Sequence, residues 1–182
     1  MSALARICSV ALLGLLVPAL PAYAGEKQVS VDARAGPWLN GANKKMGYGL
    51  GDEAPPLLIT GFVNDADAKI EIYPVEGSTT LVDGKPVGPE GIDGTAVNDT
   101  PGPKKKYYPS LYAPKILYPT NAHALIGAFV DAKGTLMGRP FAVGKGVRVT
   151  IPDQAAGLTL GFNDVKFTGN SGALSVVVVL PD

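Results

Sequence analysis

The chain is predicted to be all-β, an antiparallel β-sandwich in one domain. Three observations lead there. Short runs of alternating apolar and polar residues recur between clusters of Gly, Pro, Asn and Asp, which is the rhythm of strands and turns. No segment sustains the 3.6-residue apolar stripe of an amphipathic helix. The 23 Gly and 16 Pro among 182 residues suit a turn-rich fold and count against helices.

The first 24 residues read as a secretory signal. Arg6 supplies the positive charge, Ile7 to Leu20 the apolar core, and Ala22-Tyr23-Ala24 the cleavage site, so a mature domain is expected to span 25–182. That core is too short to span a membrane, and no other stretch is long and apolar enough. Cys8, the only cysteine, lacks the context of a lipid anchor. The expected location is therefore periplasmic or secreted. A domain of roughly 160 residues without disulfides is large enough to hold a core by burial alone. Without Arg6, fifteen basic groups face 16 acidic ones, a net charge of about −1. Such a balance gives no field for nucleic acid or an anionic membrane surface.

Strands are expected at Gln28–Ala33, Leu57–Phe62 and Lys69–Tyr73, where alternation is cleanest. Asn64-Asp65-Ala66-Asp67 joins the last two, either as Asx turns or as a cation-binding turn. Trp38, the only tryptophan, is a core anchor or, less simply, a platform for a sugar ring. From Gly84 to Pro119 regular structure stops, leaving a long irregular insertion rich in Pro and Tyr. Its Val87-Gly88-Pro89-Glu90-Gly91-Ile92-Asp93-Gly94 forms a compact turn, followed by Lys104 to Lys106 and Tyr107, Tyr108, Tyr112 and Tyr118. Two readings stand for those tyrosines: a contact surface, or cover for a sheet edge. Further strands are expected at Ala122–Val130, Phe141–Val143 and Val147–Ile151.

The chain closes on what reads as a hairpin. Leu158, Leu160 and Phe162 alternate, a polar loop follows, and Leu174, Val176, Val178 and Leu180 resume the alternation. Val177 and Val179 make the last run apolar on both faces, as in a central strand. The loop offers oxygen atoms from Asn163, Asp164, Thr168, Asn170 and Ser171, the donor type that hard cations such as calcium take. A plain polar hairpin accounts for the same residues.

The inventory gives little to an enzyme. His123 is the only histidine and lies too close to Ser171 for a two-barrel serine protease, and no Gly-x-Ser-x-Gly elbow exists. One His and no mature Cys cannot make the usual zinc site. No catalytic residue is expected.

Leu160-Gly161-Phe162-Asn163-Asp164 through Asn170-Ser171-Gly172 resembles the C-terminal segment of the calcium-dependent, galactose-binding bacterial lectins of the PA-I type. Trp38, the Gly88-to-Gly91 turn and the Ala124-to-Gly127 strand are similar to further family landmarks, in the same order. The resemblance implies a jelly-roll, galactose-lectin-like sandwich, calcium held by Asp164, Asn170 and the Thr168 carbonyl, and a galactose-like sugar or glycan as partner. It also implies sugar contacts from Asp164, the backbone of Val165, Glu90 or Asp93, and His123. The family gains avidity by assembling weak sites, which makes a homo-oligomer a further expectation. One position departs: Gly169 stands where a ligating Asp or Asn is usual. The rival expectation is a structural or protein-interaction sandwich that has lost calcium and sugar.

Overall fold

A computed structural model of the chain describes residues 25–39, 53–62, 65–96, 108–109 and 120–181. The signal segment, Asn40–Asp52, Asn64 of the acidic turn, and the Lys104–Tyr107, Tyr112 and Tyr118 stretches of the insertion lie outside the described residues.

Nine strands among the described residues form two antiparallel sheets, the sandwich that turn-punctuated alternation predicts. In the first sheet β9 (Ser171–Val179) lies between β1 (Glu26–Asp32) and β3 (Lys69–Thr80). The far edge of β3 pairs with β7 (Val147–Thr150) at one end and β4 (Pro86–Val87) at the other. In the second sheet the order is β2 (Leu57–Thr60), β8 (Gly157–Phe162), β5 (Leu125–Val130) and β6 (Leu136–Ala142). Inward side chains from both sheets make one core. Ile70, Ile72, Leu174, Val176 and Val178 come from the first sheet, and Leu125, Phe129, Leu158, Leu160 and Phe162 from the second.

The apolar run of β9 does become a central strand, zipped on both edges by backbone hydrogen bonds. Trp38 takes the core option: it is 1% exposed and packs with Ala128 and Leu136. Two strands exceed their expected lengths. β3 runs on through Pro74, which stays in register with Val176 beyond the last β7 pair at Ile72, and a bulge at Val75 follows it. β6 begins at Leu136, ahead of Pro140, for it is an edge strand that tolerates a proline.

The expected C-terminal hairpin is not one. β8 and β9 belong to different sheets, so the segment between them crosses the mouth of the sandwich. Its alternation explains why. Val165 and Phe167 are 2% and 0% exposed, and Phe167 joins the main core between the sheets. Burying two large apolar side chains stabilises this path by several kcal/mol, on the order of 1.5–3 each. A polar hairpin projecting into water would forgo that.

Candidate functional site

The crossing loop sits at the end of the sandwich where β8 finishes and β5 begins, with Leu125 paired to Phe162. The same end receives the start of β9, paired through Ser171 to Thr80 at the end of β3. Four neighbouring segments therefore surround Asp164. They are the loop itself, the turn Asn121–Ala124, the β3–β4 region around Thr79, and the residue after β1, where Ala33 N–H donates to the Gly172 carbonyl at 3.0 Å.

Backbone clips bind the turn to the loop. His123 N–H donates to the Asn163 carbonyl at 2.7 Å, and Asn163 N–H donates to the Ala124 carbonyl at 2.8 Å. The Asn163 side chain, fully buried, donates to the carbonyls of Thr120 and Asn121. His123 is thereby held at φ 56°, a left-handed conformation uncommon for a residue with a side chain. Its ring lies flat on Phe162, centroids 4.5 Å apart and planes within 9°.

Asp164 is the hub. Its Oδ1 accepts the N–H groups of Val165 at 2.7 Å and Lys166 at 3.0 Å. Its Oδ2 accepts Nδ2 of Asn170 at 2.9 Å and faces Nδ1 of His123 at 3.2 Å. Burial pushes the carboxyl up, but hydrogen bonds from His123, Lys166 N–H and Asn170, with the His123 charge, outweigh it and hold Asp164 below the ordinary value. On its far side, His123 Nε2 meets Thr79 Oγ1 at 3.0 Å, and Thr79 donates its single proton to the Val87 carbonyl at 3.0 Å. The Nδ1 that faces the carboxylate carries the N–H, and Nε2 and the Thr79 hydroxyl share the second hydrogen bond.

Hydroxyl, imidazole and carboxylate thus stand in line, as in a hydrolytic triad. The likeness stops at access. Thr79 is 0% and His123 1% exposed, so no substrate carbonyl reaches the hydroxyl, and its proton points at the protein backbone.

Of the residues expected at the site, Asp164, Asn170 and His123 meet directly, and Val165 joins through its amide. Thr168 is exposed at the tip of the Phe167–Asn170 turn, beside Gly169 at φ 84°. Glu90 and Asp93 are not part of the cluster. Both are exposed, and Glu90 faces Lys145 at 3.8 Å. What touches the His123 turn is the backbone of their segment: the Glu90 carbonyl accepts Nδ2 of Asn121 at 3.0 Å, Ile92 N–H donates to the Ala122 carbonyl at 3.0 Å, and the Pro89 carbonyl accepts Leu125 N–H at 2.9 Å. One member, Thr79, escaped the sequence reading. Thr79 carried no signal, being one of two adjacent threonines, Thr79 and Thr80, at the end of β3. Tyr108 stood among the flagged tyrosines, and here it is half-buried, its hydroxyl pushed up by burial and by the charge of Asp164.

The cluster as packed does not fit a calcium ion. A carboxylate offers about four lone-pair directions, and four N–H donors of the protein face those of Asp164. Asn170 presents its nitrogen to the carboxylate, not its oxygen. No group of three or more His, Cys, Asp or Glu able to hold a metal occurs among the described residues. A separate apolar cleft of about 530 Å³, lined in part by Leu39, Pro55, Leu58 and Val130, lies at the opposite end of the second sheet and includes none of the expected site residues.

No protein-family model matches the chain, and no curated protein matches it. Among solved structures it is similar to the N-terminal domain of EclA, described as a PllA-like lectin. That likeness has 18% identity, covers 84% of this chain and 94% of that one, and has a TM-score of 0.35.

Proposed function

We propose that the protein binds carbohydrate, a galactose-like sugar or glycan, at the end of the sandwich occupied by Asp164. The supporting observation is the meeting of sequence landmarks that lie far apart in the chain. The Asn163-Asp164 loop, Asn170, the His123 turn and the backbone of the Gly88–Gly91 turn all join at one mouth. Side chains able to meet hydroxyl groups there are Lys166, Thr168 and Tyr108, the first two exposed and the third half-buried. The calcium-assisted version of this proposal requires Asp164 to exchange His123 and Asn170 for an ion and two sugar hydroxyls. Assembly of several weak sites in a homo-oligomer belongs to the same proposal.

Calorimetry with galactosides and a broader glycan panel, in calcium and in EDTA, tests it. Saturable heat that is lost on Lys166→Ala and Thr168→Ala supports sugar recognition at this mouth. No binding across the panel in either condition refutes it.

The saturation of Asp164 favours one second reading, a protein-interaction sandwich that keeps the fold without the ligand. It predicts that removing residues 107–118 abolishes partner capture and leaves the unfolding midpoint within a few degrees of wild type.

A further inference from the structure

We infer that His123 takes the position at Asp164 that a metal ion would need, so that the crossing loop is organised without metal. If the carbohydrate reading holds, recognition at this mouth is therefore metal-independent. The first statement stands on the hub alone; the second rests on that reading.

Four features of the hub carry the inference. First, His123 is not a side chain that swings aside. It is 1% exposed, stacked on Phe162, fixed by its backbone to Asn163, and bonded at Nε2 to Thr79. Withdrawing it from Asp164 would break the stack and the hydrogen bond to the buried Thr79 Oγ1.

Second, Asn170 cannot turn its oxygen inward cheaply. Nδ2 donates to Asp164 Oδ2 at 2.9 Å and approaches the Ala33 carbonyl at 3.4 Å. Reversing the amide would aim its oxygen at a carboxylate and a carbonyl together. Third, Gly169 contributes no ligand and has little room for one: at φ 84°, an added Cβ would lie 2.9 Å from a methyl of Val82. Fourth, the donors that complete the hub are all protein N–H groups, so the carboxylate is saturated from within. A calcium ion wants six to eight oxygens at about 2.3–2.6 Å, and here it would have to displace two donors before gaining its first ligand.

The chain has a single histidine, so one imidazole reports the hub in solution. The test follows thermal unfolding and the ¹⁵N and N–H resonances of that ring, in EDTA and in about 10 mM calcium, where a site of the usual extracellular strength would be filled. The expected result is the same midpoint, within about 1 °C, and the same ring resonances in both conditions; a filled site would add several degrees. Asp164→Asn should move those resonances, and Asp131→Asn at the opposite end should not. A calcium-dependent rise of the wild-type midpoint that disappears in Asp164→Asn overturns the inference, as does a ring signal displaced by calcium. Galactoside binding of equal strength in EDTA and calcium supports metal-independent recognition, and binding only in calcium overturns it. Absence of sugar binding in both conditions, with unchanged midpoints, removes the carbohydrate reading and leaves the metal-free hub supported.

Discussion

Replacing Asp164 by Asn preserves the shape of the hub and changes only its charge and donor count. If the amide oxygen takes the Oδ1 place, the N–H groups of Val165 and Lys166 keep their acceptor, and the new NH₂ faces Nδ1 of His123 and Nδ2 of Asn170. Donor then meets donor twice. In the reverse orientation the clash moves to the two backbone amides, of which Lys166 is exposed and can turn to water while Val165 cannot. Hydrogen bonds to a charged group contribute about 1.5–3 kcal/mol each, and bonds sharing one acceptor are not additive. With the Asp164 side chain only 14% exposed, solvent screening is slight, and the expected loss is about 2–4 kcal/mol. Urea unfolding at neutral pH measures it, with the midpoint moving and the slope unchanged. In a thermal scan the same loss lowers the midpoint by about 6–12 °C for a domain of this size. A loss below about 1 kcal/mol would show that the four hydrogen bonds do not organise the loop.

Other consequences are as direct. Because the folded-state pKa of Asp164 lies below its unfolded value, its stabilisation is complete above the unfolded value and is lost as pH falls through the folded one. The titratable groups facing it are His123 and Tyr108; Lys166 reaches it only through its backbone N–H. Wild type should therefore lose stability more steeply than Asp164→Asn below about pH 4, and parallel curves would count against the assignment. Asp32 is also held below its ordinary value by Arg34, yet both side chains are nearly half exposed, so Asp32→Asn should cost less than about 1 kcal/mol in the same assay. Phe167→Ala empties a core position and should cost about 3–5 kcal/mol; a cost near 1 would place Phe167 outside the core in solution. Gly91→Ala sets a Cβ 2.5 Å from the Ala122 carbonyl at φ 76°, so a drop of about 1–3 kcal/mol is expected, whereas an unchanged midpoint would mean that the two turns do not touch.

The sandwich was legible because it is written in local chemistry. Alternation in Leu158, Leu160 and Phe162 and in Leu174, Val176 and Val178 decides which face of each strand is buried, and Gly and Pro mark where each must end. That Asp164, Asn170 and His123 belong together was expected through resemblance to a family and not through periodicity, and their side chains do meet. Three matters were decided only by the tertiary structure. The closing segment is a crossing between sheets because Phe167 finds burial in the core between them and Val165 is buried beside it in sequence, a choice that depends on what lies across the core. Thr79 enters the hub because β3 runs past Pro74 on a bulge and ends beside the His123 turn. Above all, the loop's polar residues leave open whether their oxygens face a cation or their N–H groups face one another. That question turns on a carboxylate's partners from residues 41 positions before and six after it, which only the folded chain brings within 3.2 Å.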